Sequence, residues 1–288
     1  MRGGQWQALY LMRGLRALGH QIRLLTPDGS PLMQLAVKDG IDARPLGIAA
    51  LAPAVSGVQL IHAHDARAHT LALLGGKPVV VSRRVAFSVR RGVGSRWKYA
   101  RAAHYIAVSQ CVKQTLLQAG IKNDRITVVY DGVLINTSQP QPEGRSGIIA
   151  LDSDDPGKCK QIVQQAAAIA NIPVRFSKNL VQDLQTAAVF VYITELEGLG
   201  SAALLAMASG AVVLASRVGG LPEIVEDGTT GLLTTNDPSS IAERITRLLN
   251  DPVLARRLSV AARIRVENDF TLDHMVNGTV QVYERMLS

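Results

Sequence analysis

"ELEGLGSAALLAMASG", residues 195–210, places a carboxylate, a glycine turn and an Ala/Leu-rich helix in immediate succession. Gly198 and Gly200 allow the backbone to bend sharply and to approach a ligand closely. The helix predicted to begin at Ser201 offers N–H groups and the positive end of its dipole, which favour a phosphate. Taken alone, the stretch fits equally well an ordinary strand–turn–helix in which Ser201 only caps the helix and Glu197 is solvated.

Short β-branched runs alternate with helical patterns on both sides of this stretch. "PVVVSRRV" (78–85) and "AVVLAS" (211–216) are typical strands, and "CVKQTLLQAG" (111–120) is typical of a helix that ends at a glycine. This alternation predicts an α/β fold built on parallel sheets. In such sheets, ligands bind beyond the carboxyl ends of the strands.

The polar, Pro/Gly-rich segment 136–147 lacks periodicity and is the best candidate for a linker. We therefore expect two α/β domains, residues 1–138 and 139–288, with a ligand cleft between them. We also expect the last helix to pack back toward the first domain. No strand-like segment precedes the glycine pair in "RGGQ" (2–5), so either the first sheet lacks that strand or the sequence begins inside a longer reading frame.

The composition is that of a globular protein, with 47% hydrophobic but only 4% aromatic residues in 288. No apolar run approaches the roughly 20 residues that a membrane span requires, and no secretory signal opens the chain. Cys111 and Cys159 have neither metal-binding nor redox spacing. We therefore expect a cytoplasmic protein, with no disulfide and no bound metal.

Basic residues are concentrated in one segment. Between Ala66 and Asn123 there are eleven Lys and Arg and no Asp or Glu. This predicts an anionic partner, although a solvated face that only maintains solubility is the simpler alternative. Aromatic residues interleaved with the cations suit an anionic lipid headgroup surface, and single-stranded nucleic acid could use the same combination. We favour the lipid surface because no nucleic-acid-binding motif is present. The candidate anionic-surface residues are Arg83, Arg84, Arg90, Arg91, Arg96, Trp97, Lys98 and Arg101.

Five motifs together resemble the retaining, nucleotide-sugar-dependent glycosyltransferases of group 1 (family 4). They are "RGGQWQ" (2–7), "IHAHD" (61–65), "HYIAVSQ" (104–110), "VVYDGV" (128–133) and the long stretch 195–233. The resemblance implies a GT-B fold, in which two Rossmann-like domains face each other across a cleft. It also implies transfer of a sugar to an acceptor hydroxyl with retention and without a metal or other cofactor. Many such enzymes act on lipid-linked or cell-envelope glycans, which would place the protein at the inner face of the membrane.

The resemblance assigns candidate catalytic roles to His64, beside the acceptor, and to Glu197, beside the donor sugar. A lone His is more often structural, and His62 and His64 could also be read as a metal pair, but no distant His/Asp set completes a metal shell. Residues that would bind the donor or its phosphates are Gly3, Gly4, Lys158, Gly198, Leu199, Gly200, Ser201, Leu205, Gly219, Gly220 and Glu223.

Two positions depart from the family pattern. Leu205 occupies the position of a second Glu that, in the family, accepts hydrogen bonds from the ribose of the donor nucleotide. Ser153 occupies the position of an Arg that, in the family, binds the donor phosphates. Leu205 lies one turn beyond Ser201 on the same predicted helix face, so it should still face the pocket. The alternative to an enzyme is therefore a non-catalytic relative that has kept the fold but lost residues needed to bind the donor. Such a relative would act as a partner subunit or a binding protein.

Overall fold

The computed structural model describes residues 1, 3–89, 92–135 and 144–288. The chain divides into two compact units, of which the first comprises Met1–Gly132 with Leu272–Ser288 and the second Val133–Thr271. The boundary predicted between residues 138 and 139 lies outside the described residues, as does most of the predicted linker.

The first unit alternates helices with short parallel strands. Val79, Val80 and Val81 are all buried, as expected for a strand that is covered on both faces of its sheet. The elements are α1 (Gly3–Ala17), β1 (Arg23–Thr26), α2 (Pro31–Lys38), β2 (Asp42–Pro45), α3 (Ile48–Val55), β3 (Ile61–Ala63), α4 (Ala66–Ala72), β4 (Val79–Arg83), α5 (Val93–Arg101), β5 (His104–Ala107), α6 (Gln110–Gln118) and β6 (Ile126–Val128).

The strands of this unit form two parallel sheets. β1 pairs with β2, and β3, β4, β5 and β6 pair in chain order. The register sets Val81 opposite both Ala63 and Tyr105. Because the strands are parallel, the residues that follow β3, β4 and β6 meet at one edge of the sheet.

The second unit is built around a single parallel sheet. Its longest helices carry their own start signals; Asp237, for example, accepts hydrogen bonds from the backbone N–H groups of Ser239 and Ser240. The elements are β7 (Ile148–Leu151), α7 (Lys160–Ala170), β8 (Val174–Ser177), α8 (Leu180–Asp183), β9 (Val189–Tyr192), α9 (Ser201–Ala208), β10 (Val212–Ser216), α10 (Leu221–Ile224), β11 (Leu232–Thr234), α11 (Pro238–Asn250) and α12 (Pro252–Asp269).

The order of strands in this sheet is β11-β10-β9-β7-β8. The chain begins at β7, adds β8 on one side and then returns to add β9, β10 and β11 on the other. The direction of winding therefore reverses between β7 and β9, and crevices at such reversals are where doubly wound sheets bind ligands. The hydrophobic core of this unit consists of aliphatic side chains of the strands, mostly Val, Ile and Leu, packed against α7, α11 and α12.

The C-terminal helix, α13 (Leu272–Leu287), belongs to the first unit. It lies so close to α1 that a Cβ atom on Gly14 would collide with the side chain of Val276. The buried cluster that joins the two helices to the four-stranded sheet consists of Leu11, Leu15, Val80, Ile106, Val129, Met275, Val276 and Val282.

Candidate functional site

The reversal of the sheet in the second unit brings Lys158 and Glu197 together. Lys158 ends a short 3-10 turn after β7, and Glu197 lies in the loop after the neighbouring strand β9. The Lys158 Nζ atom donates to Oε2 of Glu197 across 2.7 Å. Two candidate residues that are 39 positions apart in the sequence thus form one ion pair, in the crevice where the topology favours a ligand.

Tyr192, the last residue of β9, completes this pair, and the sequence analysis missed it. Its hydroxyl donates to Oε2 of Glu197 and accepts from Lys158 Nζ across 2.8 Å. The ring is only 4% exposed. Burial, and then the adjacent Glu197, raise the pKa of Tyr192 well above its ordinary value, so the hydroxyl remains a donor. The sequence signal that could have indicated Tyr192 is a tyrosine in an otherwise apolar strand, because a buried hydroxyl needs a hydrogen-bond partner.

The other oxygen of the Glu197 carboxylate is also bonded. Its Oε1 atom accepts from the backbone N–H of Gly198 across 3.1 Å. The loop then turns at Gly200, which has φ +113°, and α9 begins at Ser201 without a side-chain cap. An uncapped helix start beside a partly exposed ion pair is a suitable place for a phosphate group.

Along α9, burial separates the residues that line the core from those that face outward. Leu199, just before the helix, is buried. Ser201 and Leu205 lie on one partly exposed face. Leu205 therefore sits one turn beyond the helix start and presents an apolar surface there.

The Gly219–Gly220 backbone lies directly against the loop that carries Glu197. Gly220 N–H donates to the Glu197 carbonyl across 3.1 Å. At Gly219, with φ +56°, a Cβ atom would lie 2.9 Å from the carbonyl carbon of Glu197, and at Gly220 it would lie 2.9 Å from Cα of Leu199. The structure thus brings these candidate donor residues together. Glu223 follows in α10, where its carbonyl accepts from Arg265 across 2.8 Å.

A buried polar network fixes the strand ends beneath this loop. Ser216 Oγ accepts from the Thr194 backbone N–H across 2.8 Å and donates to Oδ1 of Asn236, whose Nδ2 donates to the Thr194 carbonyl. Ser153, the second departure from the family pattern, accepts from the Asp155 backbone N–H across 3.2 Å. Its hydroxyl holds the loop after β7.

In the first unit, His64, Arg84 and Asp131 follow β3, β4 and β6 at one edge of the sheet. Arg84 and Asp131 form a largely buried ion pair, and the Arg84 side chain lies beneath Gly4 at the start of α1, 3.4 Å from where a Cβ of Gly4 would be. Burial lowers the pKa of Arg84 to about 10. Arg84 therefore belongs to this strand-end cluster rather than to the basic surface predicted for it.

His64 is neutral in this setting. Burial, and then the charge of Arg84, lower its pKa to about 3. Its ring lies 4.1 Å from that of His62, which is itself held by Ser82 and Tyr283. Buried polar atoms without a hydrogen-bond partner among the described residues include Nδ1 of His64 and Nε of Arg84.

The helix start predicted to carry Gly3 and Gly4 does begin at Gly3. Gln7, one turn later, donates to the Gly132 carbonyl across 2.8 Å and so ties α1 to the loop after β6. Its Oε1 atom is buried and has no partner among the described residues. The strand-end cluster and the adjoining α1 thus contain several buried polar atoms that have no hydrogen-bond partner among the described residues.

The predicted basic surface is described only in part. Arg90, Arg91 and the side chain of Arg96 lie outside the described residues. Arg83 donates to the Tyr99 hydroxyl and to loop carbonyls, and Lys98 donates to the Ala66 carbonyl, so both stabilise the local fold. Trp97 is 54% exposed, with the Arg101 guanidinium 4.8 Å from its ring centroid.

Exposed apolar side chains accompany these cations. Phe87 is 63% exposed and Val93 is 87% exposed, ten and four residues before Trp97 in the sequence. Within the described residues, no helix has both the length and the hydropathy needed to cross a bilayer. Among residues 3–89, 92–135 and 144–288, no three His, Cys, Asp or Glu side chains are grouped as metal ligands would be.

Two family models match the chain. The model described as Glycosyltransferase Family 4 matches residues 1–136, and the model described as Glycosyl transferases group 1 matches residues 148–251. The chain belongs to the group 1 (family 4) glycosyltransferases. The resemblance stated from five sequence motifs is thereby confirmed.

The curated relatives share only part of their length with this chain. Alpha-maltose-1-phosphate synthase from Mycolicibacterium smegmatis is 39% identical over 110 residues, which are 36% of this chain and 28% of that protein. D-inositol 3-phosphate glycosyltransferase from Streptomyces avermitilis is 35% identical over 156 residues, 50% of this chain and 33% of that protein. The chain thus matches about a third or less of these curated relatives.

Solved glycosyltransferase structures share the fold. HepE from Anabaena, in complex with UDP and glucose, has a TM-score of 0.81 and 16% sequence identity, and the match covers 99% of this chain and 96% of HepE. The GT-B fold predicted from the motifs is confirmed.

Proposed function

We propose that this protein is an enzyme that transfers a sugar from a nucleotide-activated donor to an acceptor hydroxyl. The observation that carries the proposal is the Lys158–Tyr192–Glu197 arrangement beside the uncapped start of α9, at the reversal of a doubly wound sheet. Membership of the family supports it, as does the likeness in fold to a structure that contains UDP and glucose.

The residues of the second unit have distinct roles in this proposal. The diphosphate leaving group gains negative charge as the bond between the sugar and its phosphate breaks. Lys158, the N–H groups at the start of α9 and the Gly219–Gly220 backbone stabilise that charge, and preorganised donors are effective because they need no rearrangement during the reaction. Glu197, held by three donors, contacts the hydroxyls of the donor sugar.

His64 acts on the acceptor side. An acceptor hydroxyl must lose its proton as it forms the new bond to the sugar, and a neutral imidazole can position the hydroxyl or accept the proton. Because its pKa is lowered to about 3, His64 is neutral at physiological pH and can accept a hydrogen bond from the acceptor hydroxyl, but it holds a proton only weakly. Positioning the hydroxyl is therefore the role that this pKa favours. We propose that the sugar configuration is retained and that no metal or other cofactor takes part.

For the acceptor, we propose a lipid-linked or cell-envelope glycan at an anionic membrane surface on the cytoplasmic side. The support is the acid-free segment between Ala66 and Asn123, together with Phe87, Val93 and Trp97, which are exposed beside its cations. Apolar side chains that enter the headgroup region and cations that attract anionic lipid act together in peripheral binding. Sedimentation with vesicles of anionic and of neutral lipid tests this part directly.

The transferase proposal is tested with a panel of UDP-, GDP- and dTDP-sugars. We expect at least one to raise the melting temperature and to be hydrolysed slowly, or transferred when an acceptor is supplied. Neither binding nor hydrolysis with any member of the panel would contradict the proposal.

A second candidate function rests on Leu205 and Ser153. Because neither side chain supplies the charge expected at its position, the chain would then be a non-catalytic relative that binds a partner. Binding of a nucleoside diphosphate without hydrolysis or transfer of any sugar favours this alternative over the enzyme.

A further inference from the structure

We propose that Tyr192 is a positioning residue of the donor site, whose hydroxyl holds the Lys158 ammonium group and the Glu197 carboxylate in one fixed arrangement. This inference rests on the proposed function and adds to it a residue that no motif indicates. Tyr192 does not contact the donor itself; it acts through Lys158 and Glu197.

The position of the Tyr192 hydroxyl is set by the sheet. Tyr192 ends β9, where it pairs with Ala215 of β10. Its ring stacks on Phe190 with the centroids 5.6 Å apart and is buried. The backbone ladder and the stacked rings leave the side chain little freedom, so its hydroxyl is a fixed point for the two flexible side chains that reach it.

The contacts of Lys158 show how the Tyr192 hydroxyl orients its ammonium group. A lysine ammonium group has three N–H donors. Among the described residues, two of them are used by the Tyr192 hydroxyl and Oε2 of Glu197. These two hydrogen bonds fix the direction of the third N–H group of Lys158, which remains to donate to an oxygen atom of a ligand. A preorganised side chain loses less conformational freedom on binding, and affinity rises accordingly.

Glu197 benefits in the same way. Tyr192 and Lys158 share Oε2, whereas the Gly198 N–H occupies Oε1. The carboxylate plane is therefore defined by donors from three elements of the unit. Without the hydroxyl, Glu197 keeps two donors but loses the one that is fixed by the sheet.

The test is the variant Tyr192→Phe, which removes the hydroxyl and keeps the ring. We expect the dissociation constant for UDP, measured by titration calorimetry, to rise roughly threefold to tenfold, because Lys158 loses a fixed contact and must then be ordered when UDP binds. The matched control is Tyr105→Phe, which removes another buried tyrosine hydroxyl, one that donates to the Tyr99 carbonyl in the first unit. The control is expected to leave the affinity for UDP unchanged.

A double-mutant cycle separates positioning from general structural damage. In the Lys158→Met background, Tyr192→Phe is expected to have little further effect on UDP affinity, because the group it positions is gone. An equal loss of affinity in both backgrounds would overturn the proposal. So would an unchanged affinity in the single variant.

A readout without ligand separates this proposal from the proposed function. Acetylation of lysines, followed by mass spectrometry, is expected to modify Lys158 several-fold faster in Tyr192→Phe than in the wild type, whereas Lys160, paired with Asp152, keeps its rate. If the wild type binds no nucleotide, the proposed function fails and the acetylation rate of Lys158 alone decides the role of Tyr192. An unchanged rate would then refute that role.

Discussion

The contact between the Gly219 backbone and Glu197 makes Gly219→Ala the most informative single substitution. A Cβ atom there would lie 2.9 Å from the carbonyl carbon and 3.0 Å from the backbone nitrogen of Glu197, and closer still to the carbonyl oxygen. All three atoms belong to the backbone, so no side chain can rotate out of the way. The two loops must separate.

The cost of Gly219→Ala has two parts. A left-handed backbone conformation, φ +56° here, costs a non-glycine residue about 1 kcal/mol, and a steric overlap in a packed region adds about 1–3 kcal/mol. We therefore expect the free energy of unfolding to fall by about 2–4 kcal/mol. Because a displacement of about 1 Å in a site can cost about a hundredfold in rate, we expect nucleotide-sugar hydrolysis or transfer to fall by a similar factor.

Gly228→Ala is the matched control within the same unit. Gly228 also has a left-handed conformation, φ +79°, but nothing lies within 4 Å of its Cβ position. This variant should lose only about 1 kcal/mol and keep its affinity for UDP. The assays are urea unfolding and titration calorimetry on both variants. Equal stability and equal UDP affinity in the two variants would refute the steric account of the Gly219 contact.

Three further predictions concern side chains. Leu205→Glu is expected to tighten UDP binding roughly tenfold, since a carboxylate can accept hydrogen bonds from ribose hydroxyls. Unchanged or weaker affinity in titration calorimetry would mean that position 205 does not face the donor. Arg84→Met should lower the free energy of unfolding, measured with urea, by about 3–5 kcal/mol, because it leaves the buried Asp131 carboxylate unpaired. Adding Asp131→Leu should restore much of this loss. A double variant no more stable than Arg84→Met would exclude the ion pair as the cause. The pKa of His64 is lowered to about 3, so between pH 6.5 and 3 the unfolded chain binds a proton there that the folded chain does not. Stability should therefore fall as the pH falls through this window, by about 1.4 kcal/mol per pH unit for this residue, and His64→Asn should show a shallower decline; identical slopes would contradict the assignment.

Most of the architecture of the second unit could be predicted from its sequence, because most of its strands are short β-branched runs that alternate with helix signals; β11 (Leu232–Thr234) has no such run and was not predicted. β7, β9 and β10 coincide with such runs to within about two residues. α3 and α5 were not predicted. α3 contains Pro53, which speaks against a helix, and α5 is preceded by a glycine and buries no residue that its pattern would reveal.

The candidate site was predictable where a motif fixed the backbone and not where a contact arises from topology. Glu197, Gly200 and Ser201 were found because a carboxylate, a turn and a helix start are adjacent in the sequence. The Tyr192 hydroxyl was missed because strand alternation indicates which face a side chain occupies but not which atoms it meets. Likewise, the Arg84–Asp131 pair joins residues 47 positions apart, and only the pairing of parallel strands brings them together.

The placement of α13 in the first unit has a consequence for how the protein is made. On the ribosome, Leu11 and Leu15 emerge long before Met275 and Val282, with which they form one buried cluster. The whole second unit is synthesised in between and can fold while the nascent first unit still has apolar surface uncovered. Removing residues 272–288 is therefore expected to leave the second unit folded and to expose the first to aggregation and proteolysis. Limited digestion would then leave a protected fragment that begins near Val133, where the second unit begins.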